Sequence, residues 1–240
     1  MEPGDNLSQL IAQSLGDNNL TLEQGDVLVI AQKVVSKAEG RYAYLNDITA
    51  SAEAIKLAAE TDKDPRQVEL ILRESKELLR ARPGVIIVEH TLGYVHANAG
   101  IDKSNIQSDD NNPRLLLLPE DSDRSAKQTR DYLNHKFDTE IAVIINDSAG
   151  RAWRNGTVGM AIGTAGFEVL DNQIGDLDLF DRELEVTEIA VADELAAAAS
   201  FVMGQAREGL PITLIRGAKL KPSDKGSSAL IRDKSLDMFR

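Results

Sequence analysis

Apolar positions at helical spacing open the chain: Leu7, Leu10, Ile11 and Leu15 share one face and predict a helix over residues 5–15. Gly25-Asp26 marks a turn, and the apolar run at 27–31 predicts a buried strand. Residues 32–41 then become polar at strand spacing and rich in cations. A helix is predicted over 54–60, and a second from Asp64-Pro65, an N-cap followed by proline at the first helical position. Its apolar stripe is Val68, Ile71, Leu72, Leu78 and Leu79, and Pro83-Gly84 stops it. Short strands at 85–89 and 94–97 form a hairpin around Leu92-Gly93, and 98–105 is a loop by composition. Residues 115–118 predict another buried strand. Ser122 or Asp123 caps a helix running to Phe137. Residues 141–145 predict a strand ending in Asn146-Asp147-Ser148; 150–156 is a loop holding Trp153; 158–164 is strand-like. The clearest long helix is predicted over 188–203, with Val191, Leu195, Ala198 and Val202 in register and an alanine run at 196–199 that lets a neighbour pack closely. Gly204 ends it, and 212–215 is a last strand. Strands and helices mix without a strict βαβ rhythm, so the class is α/β or mixed α+β. No repeat divides the chain, which reads as one unit over 1–240 with a possible internal boundary near 107–113.

Composition narrows the function more than the fold. Lys and Arg number 27 and Asp and Glu 39, a net charge of −12 that argues against a duplex nucleic acid or an anionic membrane as partner. Small phosphorylated ligands remain open, because they need only a few placed cations or a metal. With no cysteine, thiolate metal sites, disulfides and a Cys nucleophile are excluded. The chain starts without a basic-then-apolar leader, and its longest apolar run, 195–203, is far short of the ~20 residues that span a bilayer. A cytoplasmic location is expected.

Four constellations carry candidate chemistry. Lys33, Ser36, Lys37 and Arg41 follow a buried strand and suit phosphate oxygens, although GxxxxGK[ST] is absent and the spacing alone favours a solvated edge strand guarded by lysines. Asp102 with Asn105 lies in a loop, and Asp147-Ser148 at a strand's carboxyl end. Their oxygens suit Mg²⁺ or Mn²⁺, though turns and caps use the same residue types. Asp193-Glu194 with Met203-Gly204-Gln205 is the fourth. Between Asp171 and Glu194 stand nine acids and one base, Arg182, a run that normally forms a solvated face. His90, His96 and His135 are too scattered for a metal triad and are assigned core or surface roles.

Four segments in order go further: 25–41, with Gln32-Lys33-Val34-Val35-Ser36-Lys37-Ala38-Glu39-Gly40-Arg41; 97–105, with Asn98-Ala99-Gly100-Ile101-Asp102; 146–156, Asn146-Asp147-Ser148 through Trp153-Arg154-Asn155-Gly156; and Ala192-Asp193-Glu194-Leu195 with Met203-Gly204-Gln205. Together they resemble the coenzyme F420-0:L-glutamate ligase family, also called F420 gamma-glutamyl ligases, from about residue 4 to 217. The resemblance implies an intertwined homodimer of unusual α/β fold. It implies a GTP-dependent ligase that adds L-glutamate to the deazaflavin precursor F420-0, then a second through a gamma link, with an acyl phosphate between. It implies Mg²⁺ or Mn²⁺, two ions, and stimulation by K⁺. By motif match the metal ligands are Asp102, Asp147, Ser148 and Gln205. The GTP contacts are Ser36, Lys37, Arg41, Asn105, Met203, Gly204, Gln205, Ala206, Arg207, Glu208, Gly209 and Leu210.

Three departures bear on this. Ser148 stands where the family has Thr, which keeps the hydroxyl. The loop at 149–154 lacks the family's Phe and Pro, which touches substrate contacts. The chain opens almost on Gly4-Asp5-Asn6-Leu7, so a first strand and some nucleotide contacts are expected to be missing. No fused C-terminal nitroreductase-like domain is expected. The rival readings are a related ligase with another acceptor, and a protein that binds the coenzyme or GTP without turnover.

Overall fold

The computed structural model describes residues 1–239. Its helices are α1 (Leu7–Asp17), α2 (Gln32–Ala38), α3 (Ala52–Thr61), α4 (Pro65–Arg73), α5 (Ser122–Phe137) and α6 (Val191–Met203). Its strands are β1 (Val27–Ala31), β2 (Tyr42–Tyr44), β3 (Ser75–Arg82), β4 (Val85–His90), β5 (Val95–Ala97), β6 (Arg114–Leu116), β7 (Ala142–Arg151), β8 (Arg154–Ala165), β9 (Asp171–Asn172), β10 (Glu188–Ile189) and β11 (Ile212–Ile215). The class is mixed α/β, as the pattern predicts.

The central sheet runs β11-β1-β7-β8. β1 is antiparallel to β11 and parallel to β7, and β7 is antiparallel to β8. Alternation along β1 serves both faces. Leu28 and Ile30 join Ile11, Leu15, Leu133, Val143 and Ile145 beneath α1 and α5. Val27 and Val29 join Ile144, Phe167, Ala196 and Ala199 beneath α6. A separate core packs α3 and α4 against β4 and β6 through Leu57, Val68, Ile71, Ile86, Val88 and Leu115. Each Val, Leu, Ile or Phe among these contributes ~1.5–3 kcal/mol on leaving water, before entropy.

Several expectations are corrected. Residues 32–38 form helix α2, not an edge strand. Seven residues fit either period, and the spacing Gln32, Val35, Ser36 buries one helical face against the sheet. The helix begun at Pro65 stops at Arg73, so Leu78 and Leu79 lie in β3. Pro83-Gly84, with Gly84 at φ 85°, is the hairpin turn between β3 and β4 rather than a helix stop. Asp121, not Ser122 or Asp123, caps α5 by accepting from the Arg124 amide at 2.9 Å. β7 does not end in Asn146-Asp147-Ser148: it continues to Arg151 as a ribbon with β8, leaving Ala152-Trp153 as a two-residue turn with Trp153 at φ 63°. Helix α6 begins at Val191, because Glu188–Ile189 pairs with β9. Its Ala198 and Val202 face solvent, while Ala192, Ala196, Ala199, Ser200 and Met203 are buried. The close approach foreseen for its alanines is real. A Cβ on Gly159 of β8 would meet the Ala196 carbonyl and lie 2.6 Å from Ser200 Cβ.

Candidate functional site

Register builds the site. Ala31, the last residue of β1, pairs with Asn146 of β7, so α2 leaves the sheet beside Asp147-Ser148. On the other side of β1, Ile30 pairs with Ile212 of β11, which carries residues 204–211 across the same end of the sheet. A ligand site at the carboxyl ends of strands follows from this arrangement. The cleft there, of about 500 Å³, is lined by Ala31–Val34, Lys37, Asn105, Asn146–Ser148, Ser200 and Met203–Pro211.

One wall is cationic. Lys37 Nζ donates to the Asn105 carbonyl at 2.6 Å, and Asn105 Nδ2 donates to the Ala206 carbonyl at 3.1 Å, which ties α2 to the crossing segment. Burial, and then the like charges of Lys33 and Arg114, hold the Lys37 ammonium below the ordinary lysine range. Such self-repulsion is relieved by an anion. Lys33 is ion-paired with Asp102 and donates to Ser104 Oγ at 3.2 Å. Burial pushes the Asp102 carboxyl up, but Lys33 and the Ser104 amide outweigh it and hold it low.

The opposite wall carries oxygens. Ser148 Oγ donates to Gln205 Oε1 at 2.7 Å, and Gln205 Nε2 donates to Ser200 Oγ at 2.9 Å. Asn146 Oδ1 is buried with no hydrogen-bond partner among the described residues. Among them no group of three or more His, Asp and Glu is placed for a metal. The donors here are instead one carboxylate, a hydroxyl and amide oxygens, and an orphaned carbonyl oxygen among hard ligands fits Mg²⁺ or Mn²⁺.

The predicted residues are not all on the cleft. Lys37, Asn105, Asp147, Ser148 and the run from Met203 to Leu210 line it. Ser36 sits behind, buried, donating to Gln32 Oε1 at 3.0 Å. Arg41 is spent on the Leu118 carbonyl at 2.8 Å and Glu74 at 2.9 Å. Asp102 reaches the cleft only through Lys33.

His96, assigned a core or surface role by sequence, is buried and stands behind the cleft against Asp147. Its Nε2 lies 3.0 Å from Asp147 Oδ2, and its Nδ1 lies 3.1 Å from the Ala97 carbonyl. Burial pulls its pKa down, but Asp147 and the carbonyl outweigh burial and raise it. No local signal announces this, because β5 meets β7 only in the folded chain.

The fold and the cleft define a mixed α/β protein in which lysines oppose oxygen ligands at one end of the central sheet. The profile of the F420-0:gamma-glutamyl ligase family matches residues 1–217. A protein of Methanopyrus kandleri named coenzyme F420:L-glutamate ligase is 46% identical, covering all of this chain and 93% of its own length. A Methanocaldococcus jannaschii protein of that name is 43% identical over 98% of this chain and 90% of its own. One from Archaeoglobus fulgidus is 39% identical over 100% and 92%. The chain therefore belongs to the F420-0:gamma-glutamyl ligase family, and it is a ligase.

Proposed function

We propose that this ligase uses GTP to add L-glutamate to the terminal carboxylate of the F420-0 deazaflavin precursor, then a second glutamate by a gamma link, in the cytoplasm. The acceptor carboxylate attacks the γ-phosphorus of GTP, GDP leaves, and an acyl phosphate forms. The glutamate amine then attacks the acyl carbon, loses its proton, and inorganic phosphate departs. The observation that carries this reading is the β1–β7 register, which sets Lys33 and Lys37 across one cleft from Asp147, Ser148 and Gln205. Phosphoryl transfer needs placed charge more than a nucleophile. In it, Lys37 holds phosphate oxygens, and the segment 203–210 wraps the nucleotide. Asp147, Ser148 and Gln205 would hold Mg²⁺ or Mn²⁺, with Asp102 reaching a second ion only by releasing Lys33. A bound cation supplies neutralisation of phosphate charge. Potassium ions would stimulate the reaction.

We also propose a homodimer, supported by the acidic arm between β9 and β10. It carries Leu179 at 98%, Phe180 at 75% and Val186 at 85% exposure, apolar side chains that a second copy would cover. Light scattering at twice 26.1 kDa supports it, and a monomer at 26.1 kDa refutes it.

The test is mass spectrometry of the purified chain with F420-0, L-glutamate, GTP and Mn²⁺. A product heavier by one or two glutamyl residues, absent without GTP or metal, is expected. Asp147→Ala should abolish product and metal-dependent nucleotide binding together; a binder without turnover would yield no product from the unaltered chain. A different acceptor is favoured by one observation, the turn at Ala152-Trp153, where Trp153 is 87% exposed in a segment that departs from the family pattern. GTP hydrolysis stimulated by another carboxylate, and not by F420-0, would select that reading.

A further inference from the structure

A second cleft, of about 190 Å³, lies against the outer edge of β8. It is below the ~300–1,000 Å³ of sites for drug-sized ligands. The body contributes Tyr94, Met160 and Asp193 to its wall; the tail beyond the family match contributes Leu230, Ile231 and Arg232. The tail is pinned there. Ser227 N donates to Asp123 Oδ1 at 2.9 Å, Ser227 Oγ donates to the Ile162 carbonyl at 3.1 Å, and Lys234 Nζ lies 2.9 Å from Glu77 and 2.7 Å from Glu89.

Among the described residues, two opposite charges on these walls have no ion-pair partner. Asp193 Oδ1 accepts from the Ala161 amide at 2.9 Å, which leaves Oδ2. Burial pushes this carboxyl up, opposed by that one amide and by no cation. Arg232 comes from the facing tail, and no ion pair to it is formed among the described residues. Asp237, the other charged group on the wall, accepts from the Phe239 amide at 2.9 Å and is not without a partner.

We propose that this cleft binds a free α-amino acid, its ammonium on Asp193 and a carboxylate on Arg232. A guanidinium takes a carboxylate through two parallel N–H donors, and a half-buried carboxylate lacking a cation is complementary to an ammonium. Within the ligase reading, on which this rests, the occupant is the L-glutamate whose amine is acylated. The location agrees: Met160 on the cleft wall is the cross-strand partner of Asp147, so the two clefts flank one strand pair. Directly opposed residues in such a pair are ~4.5–5.5 Å apart.

The test uses the full chain with Arg232→Gln, and with Asp193→Asn, which keeps an oxygen for the Ala161 amide. L-glutamate binding is read by calorimetry, and KM for glutamate and for GTP from product formation. Each variant is expected to weaken glutamate binding and raise its KM at least about tenfold, the loss of one charge-assisted contact, with KM for GTP within about twofold. Arg232→Lys should recover part of the loss, which a merely structural tail residue would not. Product formed with unchanged glutamate KM in both variants overturns the site and leaves the ligase reading standing. Glutamate binding that depends on Arg232 in a chain that makes no product overturns the ligase reading and keeps the site. Neither binding nor product overturns both.

Discussion

Protonation of His90 should set how the protein tolerates mild acid. The side chain is 1% exposed and stacks on Tyr94 with ring centroids 5.3 Å apart. Its Nδ1 accepts from the Leu92 amide at 3.0 Å, so the ring is neutral with its proton on Nε2. A proton added to Nδ1 would face an N–H donor. The nearby Glu74 carboxylate, 3.8 Å from Nε2, is already committed to Arg41 at 2.9 Å. Burial, then the charges of His96 and Arg41, lower the pKa from 6.5 to about 4. Above 6.5 neither the folded nor the unfolded chain binds this proton, and below about 4 both do. In between only the unfolded chain binds it, so stability falls as pH falls across that window. At ~1.4 kcal/mol per pH unit, the whole window is worth about 3 kcal/mol, and the part down to pH 5 about 2 kcal/mol. The perturbation is His90→Asn, which keeps an acceptor for the Leu92 amide and cannot titrate. Urea unfolding near pH 7 and near pH 5 measures both proteins. The raised His96 contributes in the opposite sense, since its stabilisation is lost as pH rises, but it is present in both proteins and largely cancels. The unaltered chain should lose ~2 kcal/mol more than the variant between the two pH values. Equal losses would refute the reasoning, and with it the neutral, amide-accepting ring.

Gly159→Ala should destabilise by at least ~1–3 kcal/mol, because its Cβ meets α6 backbone rather than a side chain able to move; thermal unfolding reads it, and an unchanged midpoint would mean the β8–α6 spacing is wrong. Ser148→Thr should leave ligase activity within about twofold, whereas Ser148→Ala should raise the Mn²⁺ needed for half-maximal rate by ~10–100-fold, measured by metal titration. Arg216→Ala should cost ~2 kcal/mol, because it strips the buried Asp26 of its guanidinium; the partly exposed arginine keeps the figure below that of a fully buried pair. Burial pushes the Asp26 carboxyl up, but Arg216 and the Glu23 amide outweigh it. The stabilisation is therefore present above the ordinary aspartate range and lost as pH falls through the lowered value. Acid unfolding of the unaltered chain and the variant should converge at low pH.

Elements with an apolar run, or capped by side chains of fixed chemistry, were legible. β1 and β11 have the bounds their apolar runs predict, and Asp64-Pro65 opens α4 as expected. The misread stretches have a common cause: the partner, not the local pattern, selects the period. Lys33, Val35 and Lys37 alternate like a strand, while Gln32, Val35 and Ser36 bury like a helix, and only the end of β1–β7 pairing decides between them. In α6, the larger Val202 and Leu195 suggested the buried face. The sheet chose the alanines, because β8 comes too near at Gly159 for anything larger. The motif residues of the main cleft stood out by chemical type. His96 and Arg232 did not, since each meets its neighbours across a layer or from the chain's far end.

The charge pattern carries the same lesson to function. A net charge of −12 would repel a nucleotide if it were spread evenly. It is not: the acids of 171–194 lie mostly on an exposed arm, where Asp178 pairs with Arg182 and Asp171 with Lys221. At the end of β1 cations are placed locally: α2 brings Lys33 and Lys37 to the cleft, with Asp102 balancing Lys33. An anion entering beside Lys37 competes with Asp102 for Lys33. Moving Lys33 onto phosphate would free the Asp102 oxygens, a further carboxylate beside that of Asp147. Nucleotide and cation would then bind together, each supplying what the other displaces, and an acidic protein would hold a polyanion without a basic surface.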